Sequence, residues 1–491
     1  MLELLSMKLY STLNKKVVDI KPLKEGEISI YSCGPTVYYR MQIGNIRAYV
    51  NWDILHRALL YLGYNVKRVM NLTDVGHMTS HDDFGSDFGE DRMDKQARKE
   101  GLQPLDIANK YIDTVLDDFR KLNILAPSGE IIPQDLTYEG VQEYGFPRAT
   151  EYVEEMISII KKIEANGYTY ETKQALYFDV TKIDDYTVFT GQKLEEKEVA
   201  VREEVDVDPE KKNPADFVLW MKRYGKYEDH IMNWNSPWGD GFPGWHIECS
   251  AMGTALLGKK FDIHTGGVDH IPVHHPNERA QNIGAFGHPV VGHWVHNEWV
   301  VNNDESKLSK SSGNAPYLPN IIKLGFDPMD VRYFLLSINY RTRIQFSLKA
   351  LEGAKNARLS LVRKIKELGN KKGQLIPEYV ERFKEELKNN LNMSEVLALI
   401  NELLKSDSPK EDILATILDF DKVLGLDLEK IVQKGDEQVD TRDPKIDILL
   451  EERTKAKEQK DYKRADEIRD EIEELGYKVL DTSEGQKLEK I

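Results

Sequence analysis

Apolar positions near the start of the chain follow two different periods in turn. Ile28–Ser32 is a short apolar run that predicts a buried strand, Asn45–Leu62 carries apolar residues at helical spacing, and Tyr64–Met70 predicts a second strand. Strand, helix and strand within about forty residues form a βαβ unit, whose ligand site lies at the carboxyl ends of its strands. Cys33 and Thr73 both fall at that edge.

The pattern changes between residues 76 and 244. A polar stretch rich in Asp and Gly comes first, and a helical pattern at 152–166 and alternating pieces at 175–180 follow it. We interpret this part as an insertion, because a second α/β half appears after it. The patterns of that half predict helices at Trp245–Leu257 and His274–Phe286 and strands at Lys260–His264 and Val290–Val300.

Helical spacing dominates the chain beyond residue 318. Ser347 and Ser394 are each placed to cap a helix, since serine side chains accept hydrogen bonds from free backbone N–H groups. Residues 434–437 predict a linker, and residues 445–475 predict a pair of helices that Gly476 ends.

These elements predict an α/β protein. A Rossmann-like parallel-sheet core would be split by an inserted α+β domain, and an α-helical bundle and a small C-terminal domain would follow it. The predicted boundaries are 1–75 and 245–320 for the two halves of the core, 76–244 for the insertion, 321–345 for a short connecting region, 346–433 for the bundle and 442–491 for the C-terminal domain.

Length and composition indicate how many cores the chain can form and where in the cell we expect it. The chain has 491 residues, of which 40% are hydrophobic and 31% charged, so it can form several cores. No apolar run approaches the ~20 residues of a membrane span, and the first residues are too charged for a signal peptide, so we expect a cytoplasmic protein without a membrane partner. The two cysteines are therefore not expected to form a disulfide framework.

The charge balance is acidic. There are 67 Lys and Arg against 83 Asp and Glu, a formal net charge of −16. This balance argues against a general nucleic-acid coat or a binder of membrane surfaces. A local basic face could still bind a nucleic acid, because salt screens charges over roughly 10 Å.

Four residues have the chemistry of a metal site. His274 and Glu278 are four residues apart, hence one turn apart on one helix face, and Cys33 and Cys249 would add two sulfur ligands. Such a set suits tetrahedral zinc. The alternative is that both cysteines are small core residues and that the His–Glu pair lies on the surface.

Two further stretches could hold phosphate groups. Gln42, Gly44 and Asn45 lie where a helix N-terminus offers free N–H groups and a positive dipole end, and Gly44 permits close approach to the backbone. Lys307 and Lys310 place two charges in a Ser- and Gly-rich stretch. Taken alone, that lysine stretch is also compatible with a solvated surface loop.

The motifs of the chain resemble those of one enzyme family. QIGN and KLSKS resemble the HIGH and KMSKS signatures of class I aminoacyl-tRNA synthetases. CGPTVY, NLTD, PGWHIECSAM, DIHTGGVDHIPVHHPNERAQ, KLSKSSGN and DVRYFLLSINYR together are similar to the cysteinyl-tRNA synthetases of that class. The resemblance extends from about residue 9 to residue 485, nearly the whole chain.

The resemblance implies a role for particular residues. The zinc ligands would be Cys33, Cys249, His274 and Glu278. The amino acid would be bound by Gly34, Thr36, Thr73 and Trp245, and ATP by Gly44, Gly266, Gly267, Asp269 and Lys310. The catalytic contacts would come from Gln42, Asn45, Lys307 and Lys310.

The resemblance also implies the reaction and its partners. L-cysteine would be activated by ATP with Mg²⁺ to cysteinyl-adenylate and transferred to the terminal ribose of tRNA(Cys), releasing AMP and pyrophosphate. One Zn²⁺ per chain would select the thiolate of cysteine over the hydroxyl of serine. Residues 321–345 would contact the tRNA stem, 346–433 would bind tRNA and 442–491 would bind the anticodon. We expect a monomer rather than an oligomer.

Three features depart from the family pattern. Gln42 stands where a His is usual, and Phe242 stands where an Arg often precedes Pro-Gly-Trp. The C-terminal DTSEGQKLEKI lacks the Thr/Trp ending that the family pattern leads us to expect. Two other interpretations are a ligase that joins cysteine to an amino-sugar and a non-catalytic paralogue that only binds tRNA or a partner protein. The segments from Phe346 onward argue against the first, and the intact Lys307 and Lys310 argue against the second.

Overall fold

The fold is given by a computed structural model that describes residues 6–75, 78–79, 90–191, 208–301, 316–433, 444–458, 461–474, 476–482 and 485–490. The first part holds β1 (Lys8–Ser11), β2 (Lys16–Asp19), β3 (Glu27–Ser32), α1 (Ile43–Tyr61) and β4 (Asn65–Met70). The next part holds β5 (Met78–Thr79), β6 (Glu90–Asp91), α2 (Arg92–Glu100), α3 (Pro104–Lys121), α4 (Val153–Ala165), β7 (Thr169–Glu171), β8 (Ala175–Phe178), β9 (Phe217–Lys222) and β10 (Gly241–Pro243).

The second half of the chain holds the rest of the α/β core, the helical part and the C-terminal elements. It begins with α5 (Trp245–Leu257), β11 (Phe261–Gly267), α6 (His274–Phe286), β12 (Val291–Asn297) and β13 (Val300–Val301). The helical part holds α7 (Leu318–Lys323), α8 (Pro328–Leu336), β14 (Ile344–Gln345), α9 (Leu348–Lys366), α10 (Pro377–Lys388), α11 (Met393–Leu403), α12 (Lys410–Leu424) and α13 (Leu428–Gln433). The chain ends with α14 (Pro444–Glu458), α15 (Tyr462–Glu474), β15 (Tyr477–Thr482) and β16 (Gly485–Lys490).

The central sheet is parallel and has the strand order β12-β11-β3-β4. Its two middle strands come from opposite sides of the insertion, and Ile30 of β3 is in register with Ile263 of β11. The pairing continues past the strand end, where the Cys33 N–H donates to the Thr265 carbonyl at 3.0 Å. The predicted Rossmann-like α/β core is therefore confirmed.

Two large apolar cores lie on the two faces of this sheet. On one face, buried residues of α1 such as Ile46 and Leu55 belong to a core that extends to Phe383 and Phe420 of the helical part. On the other face, Ile160 of α4 and Phe178 of β8 pack in a core with residues of α5 and α6. The helical part and the insertion are thus each anchored to the sheet by shared apolar burial.

Buried charges join α1 to the helical part. The Asp53 carboxylate accepts hydrogen bonds from Arg57 at 2.8 Å and from Arg332 of α8 at 2.6 Å. Its other oxygen accepts the Leu125 N–H at 2.8 Å. Arg332 also donates to the Leu424 carbonyl at the end of α12, at 2.7 Å. Because Asp53 and Arg332 are both fully buried, this network fixes the relative positions of α1, α8 and α12.

Most predicted elements agree with the structure to within a few residues, and two predictions need correction. The predicted strand Val290–Val300 ends at Asn297, because the chain then leaves the sheet and β13 pairs with β14. Ser394 was expected to cap a helix, but α11 begins at Met393 after Asn392, and the Ser394 hydroxyl donates to the Ser337 carbonyl. Ser347 does cap α9. The predicted linker at 434–437 lies outside the described residues.

No described helix is both long and apolar enough to cross a membrane.

Replacing Asp53 with Asn should lower the free energy of unfolding by about 3–5 kcal/mol, because Arg57 and Arg332 would lose the carboxylate that compensates their buried charges. Urea or thermal unfolding of the purified protein measures the change. The control is Arg382→Ala, which removes an exposed ion pair with Glu402 and should cost less than about 1 kcal/mol. Equal losses in the two variants would contradict the assigned importance of the network.

Candidate active site

Four potential metal ligands meet at the carboxyl edge of the central sheet. Cys33 follows β3, Cys249 lies in the middle of α5, and His274 and Glu278 occupy the first two turns of α6. One ligand atom from each of the four lies within 4.8 Å of the others. All four side chains are buried, so the pair on α6 is not a surface pair.

The donor set of this cluster fits a zinc ion. Two thiols, an imidazole and a carboxylate are the ligand types that zinc prefers. Glu278 Oε1 is buried, and among the described residues no donor makes a well-directed hydrogen bond to it, although His274 Nε2 lies 3.1 Å away. A buried carboxylate oxygen of this kind has a lone pair available for a cation.

The electrostatics of the cluster favour ionised ligands. A hydrogen bond from Cys33 lowers the pKa of the Cys249 thiol to about 6, while burial raises the pKa of Cys33. Burial disfavours the Glu278 carboxylate, but the charges on His264 and His274 outweigh it and lower the pKa of Glu278 to about 2. The surroundings therefore favour the ionised forms of Cys249 and Glu278 and the neutral form of Cys33.

A second layer of aromatic side chains holds the ligands in place. His246 Nδ1 lies 2.8 Å from His274 Nδ1, and His264 Nε2 lies 2.9 Å from Glu278 Oε2. The Trp245 ring packs on the His274 ring with 4.2 Å between their centroids. Such contacts on the far side of a ligand fix its orientation toward a metal.

An overlapping set of potential ligands shares two members with the first. It consists of Cys33, His264, His275 and Glu278. His275 is already engaged on its other side, since its Nδ1 lies 2.7 Å from His296 Nε2. This set offers one sulfur and the first set offers two, so the first set is the better match to the thiolate preference of zinc.

Gly34 and Trp245, two of the residues expected to bind cysteine, lie next to Cys33 and His274. The Gly34 N–H donates to the Asn71 side-chain oxygen at 2.9 Å, and a Cβ at position 34 would lie only 1.6 Å from the Asn71 carbonyl oxygen. Thr36 and Thr73 pair in a parallel bridge. Gly34 is thus required for the close approach of the two strand ends.

The expected ATP entrance lies at the start of α1. Gln42 is the residue before the first helical turn, and its N–H donates to the Asn45 side-chain oxygen at 3.1 Å. A Cβ added at Gly44 would meet no atom within 4 Å. The first turn has no acidic residue, so no side-chain charge there would repel an anion from the positive end of the helix.

The glycines expected near the nucleotide have a visible packing role. A Cβ at Gly266 would lie 2.5 Å from His270 Nδ1, and a Cβ at Gly267 would lie 2.3 Å from Asp269 Oδ1. The missing side chains leave room for His270 and for Asp269, whose side chain is exposed. Lys307 and Lys310 lie outside the described residues.

Three histidines around the four candidate ligands are not among the expected site residues. His246, His264 and His275 come from α5, β11 and α6, so no spacing in the sequence relates all three. The adjacent histidines at 274 and 275 were the one available signal. Only the fold brings these side chains together.

Two family models match the chain. Residues 19–356 match the model described as tRNA synthetases class I (C) catalytic domain. Residues 442–487 match the model described as Cysteinyl-tRNA ligase anticodon binding domain.

Proteins of similar sequence cover nearly the whole chain. A cysteine–tRNA ligase of Treponema denticola is 38% identical over 98% of this chain and 99% of its own length. The cysteine–tRNA ligase 1 of Burkholderia lata is 37% identical over 98% and 96%.

Solved structures of lower identity share the fold. A LeuRS of Agrobacterium radiobacter K84 in a ternary complex with tRNA and LeuAMS is 11% identical, with a TM-score of 0.55 over 84% of this chain and 85% of that one. The methionyl-tRNA synthetase of Mycobacterium tuberculosis bound to methionyl-adenylate is 14% identical, with a TM-score of 0.50 over 83% and 92%. On the family models and the full-length relatives, this chain belongs to the cysteinyl-tRNA synthetase family of class I tRNA synthetases.

Proposed function

We propose that this protein activates L-cysteine with ATP and transfers the cysteinyl group to the terminal ribose of tRNA(Cys), releasing AMP and pyrophosphate. The observation that carries the proposal is the buried cluster of Cys33, Cys249, His274 and Glu278 beside the strand ends of a class I synthetase core. Such a cluster would recognise an amino acid that carries a thiol in its side chain. The reaction would take place in the cytoplasm, with ATP as its Mg²⁺ complex.

The cluster would hold one zinc ion. Bound there, a zinc ion would supply a Lewis acid that favours the thiolate of cysteine over the harder, less acidic hydroxyl of serine. His246 and His264 would keep the ligands His274 and Glu278 oriented through the hydrogen bonds described above. Trp245, packed on His274, would form the wall of the pocket beside the side chain of cysteine.

Activation would consist of positioning and charge stabilisation. The carboxylate of cysteine attacks the α-phosphorus of ATP, the bond to the pyrophosphate oxygen breaks, and pyrophosphate leaves. The N-terminus of α1, with free space at Gly44 and with Asn45 beside it, would face the phosphates, and the Gln42 amide would donate a hydrogen bond to one of them. Lys307 and Lys310 are assigned to the phosphates by the resemblance of their motif alone.

The remaining assignments concern ATP and tRNA. Asp269 projects from the turn after β11 and would lie near the nucleotide, with Gly266 and Gly267 keeping that turn compact. The helical part would bind tRNA and residues 442–491 the anticodon. The match of 442–487 to an anticodon-binding model favours tRNA over an amino-sugar as the acceptor, because a small acceptor needs no such domain.

The purified protein should contain about one zinc per chain, as a four-ligand site implies. Cys249→Ser should lower the zinc content, because it removes one of two sulfur ligands, and should weaken discrimination against serine. Elemental analysis gives the metal content, and ATP–pyrophosphate exchange with cysteine or serine gives the discrimination. Full activity and full discrimination in zinc-free protein would end this part of the proposal.

Gln42→Ala should slow pyrophosphate exchange by roughly 10- to 1,000-fold, the range expected for one lost donor to developing charge. The KM for cysteine should change little, because the amino acid is held at the other end of the site. Gln42→His should stay within about tenfold of the parent, since both side chains can donate a hydrogen bond. Parental rates in Gln42→Ala would mean that the side chain at position 42 does not contact ATP.

A chain ending at residue 433 should keep pyrophosphate exchange and lose most tRNA charging, because the candidate active site lies before residue 320. The removed part includes a group of basic residues that could contact phosphates of the tRNA: Lys455, Lys457, Lys460, Lys463 and Arg464. If they do, the tRNA affinity of the full chain should fall as the salt concentration rises. Circular dichroism verifies that the shortened chain is folded. Equal loss of both steps in folded protein would assign the last domain a structural role.

A further inference from the structure

The start of α1 is paired with the chain that follows the lysine motif. The Ile43 N–H donates to the Pro316 carbonyl at 3.2 Å, and Gln42 faces Tyr317 in an isolated antiparallel bridge. Tyr317 is also the residue before the first turn of α7, and its carbonyl accepts the N–H of Asn320 at 2.9 Å. The backbone at position 317 is therefore fixed on both sides.

This pairing places the two side chains on the same side of the bridge. Directly opposed residues of an antiparallel pair have Cβ atoms about 4.5–5.5 Å apart. Gln42 is almost fully buried, and the Tyr317 ring is half-buried and packs on the Tyr39 ring, with 5.7 Å between the centroids. Burial raises the pKa of the Tyr317 phenol, and a hydrogen bond from Gln42 opposes that rise.

A glutamine at this position has to be held in one rotamer in order to act on a phosphate, because its amide is neutral and sits on three rotatable bonds. The Asn45 N–H already holds the side-chain oxygen in a capping box, and a contact at the nitrogen would fix the amide further. A tyrosine hydroxyl can accept one amide N–H and leave the second N–H free to donate. A tyrosine ring held by backbone pairing and by Tyr39 is a suitable rigid partner.

We propose that Tyr317 is a positioning residue that fixes the Gln42 amide toward an ATP phosphate. This inference rests on the proposed function and extends it to a residue that does not itself touch ATP. It also gives a reason why an uncharged residue suffices at position 42, since a fixed neutral donor is an effective one.

A double-mutant cycle in ATP–pyrophosphate exchange tests the proposal. Tyr317→Phe should lower kcat/KM for ATP by about 3- to 10-fold, the factor that one neutral hydrogen bond is worth, and should leave the KM for cysteine within about twofold. In the Gln42→His background, the same Tyr317→Phe change should alter kcat/KM for ATP by less than about twofold, because the histidine does not depend on the phenol. The coupling between the two changes is the readout that a merely structural tyrosine would not produce.

The controls separate this proposal from the proposed function. Tyr333→Phe removes another buried phenol hydroxyl, on α8, and should leave both kinetic constants unchanged. Thermal unfolding of each variant verifies the fold. Equal losses from Tyr317→Phe in both backgrounds, or no loss in the parent background, would overturn the positioning role while Gln42→Ala remained impaired. Absence of exchange in the parent protein would instead refute the proposed function.

Discussion

The parallel pairing of β3 with β11 is the contact on which the candidate site depends. The insertion separates these strands in sequence. The backbone hydrogen bond from Cys33 to Thr265 nevertheless brings the Cys33 thiol to the helices that carry the other three candidate ligands. Without that pairing the chain would hold one cysteine in each of two unconnected halves. The ladder therefore forms the sheet and assembles the candidate metal site at the same time.

Helix α1 connects the expected ATP entrance with the helical part of the chain. Its first turn forms the expected ATP entrance, and Asp53 and Arg57, farther along the same helix, lie in the buried network with Arg332 and the end of α12. A buried ion pair is costly to break and tolerates little displacement, so the helical part is held at a fixed position relative to the ATP entrance. A tRNA bound along the helical part would thus meet a rigidly placed active site.

The hydrophobic periodicity of the sequence predicts the elements of the α/β core but not the contacts around it. The βαβ unit, α5 and α6 were predictable because each has a strong local pattern and a clear end. The contact of Ser394 with Ser337 and the end of β12 at Asn297 depend on tertiary packing, which no local window contains. The four ligands could be proposed from chemistry and resemblance, while His246 and His264 could not, because their role comes only from proximity.

The metal cluster and the ATP entrance are built on different physical principles. The four candidate ligands are buried and held by a second layer of rings, so a metal bound there would owe its selectivity to low dielectric and fixed geometry. The expected ATP entrance at the start of α1 has free space at Gly44 and no acidic residue, and it offers backbone N–H groups and a neutral side chain. A substrate that must be recognised by one sulfur atom requires the first kind of site. A nucleotide that must enter and leave in every cycle requires the second.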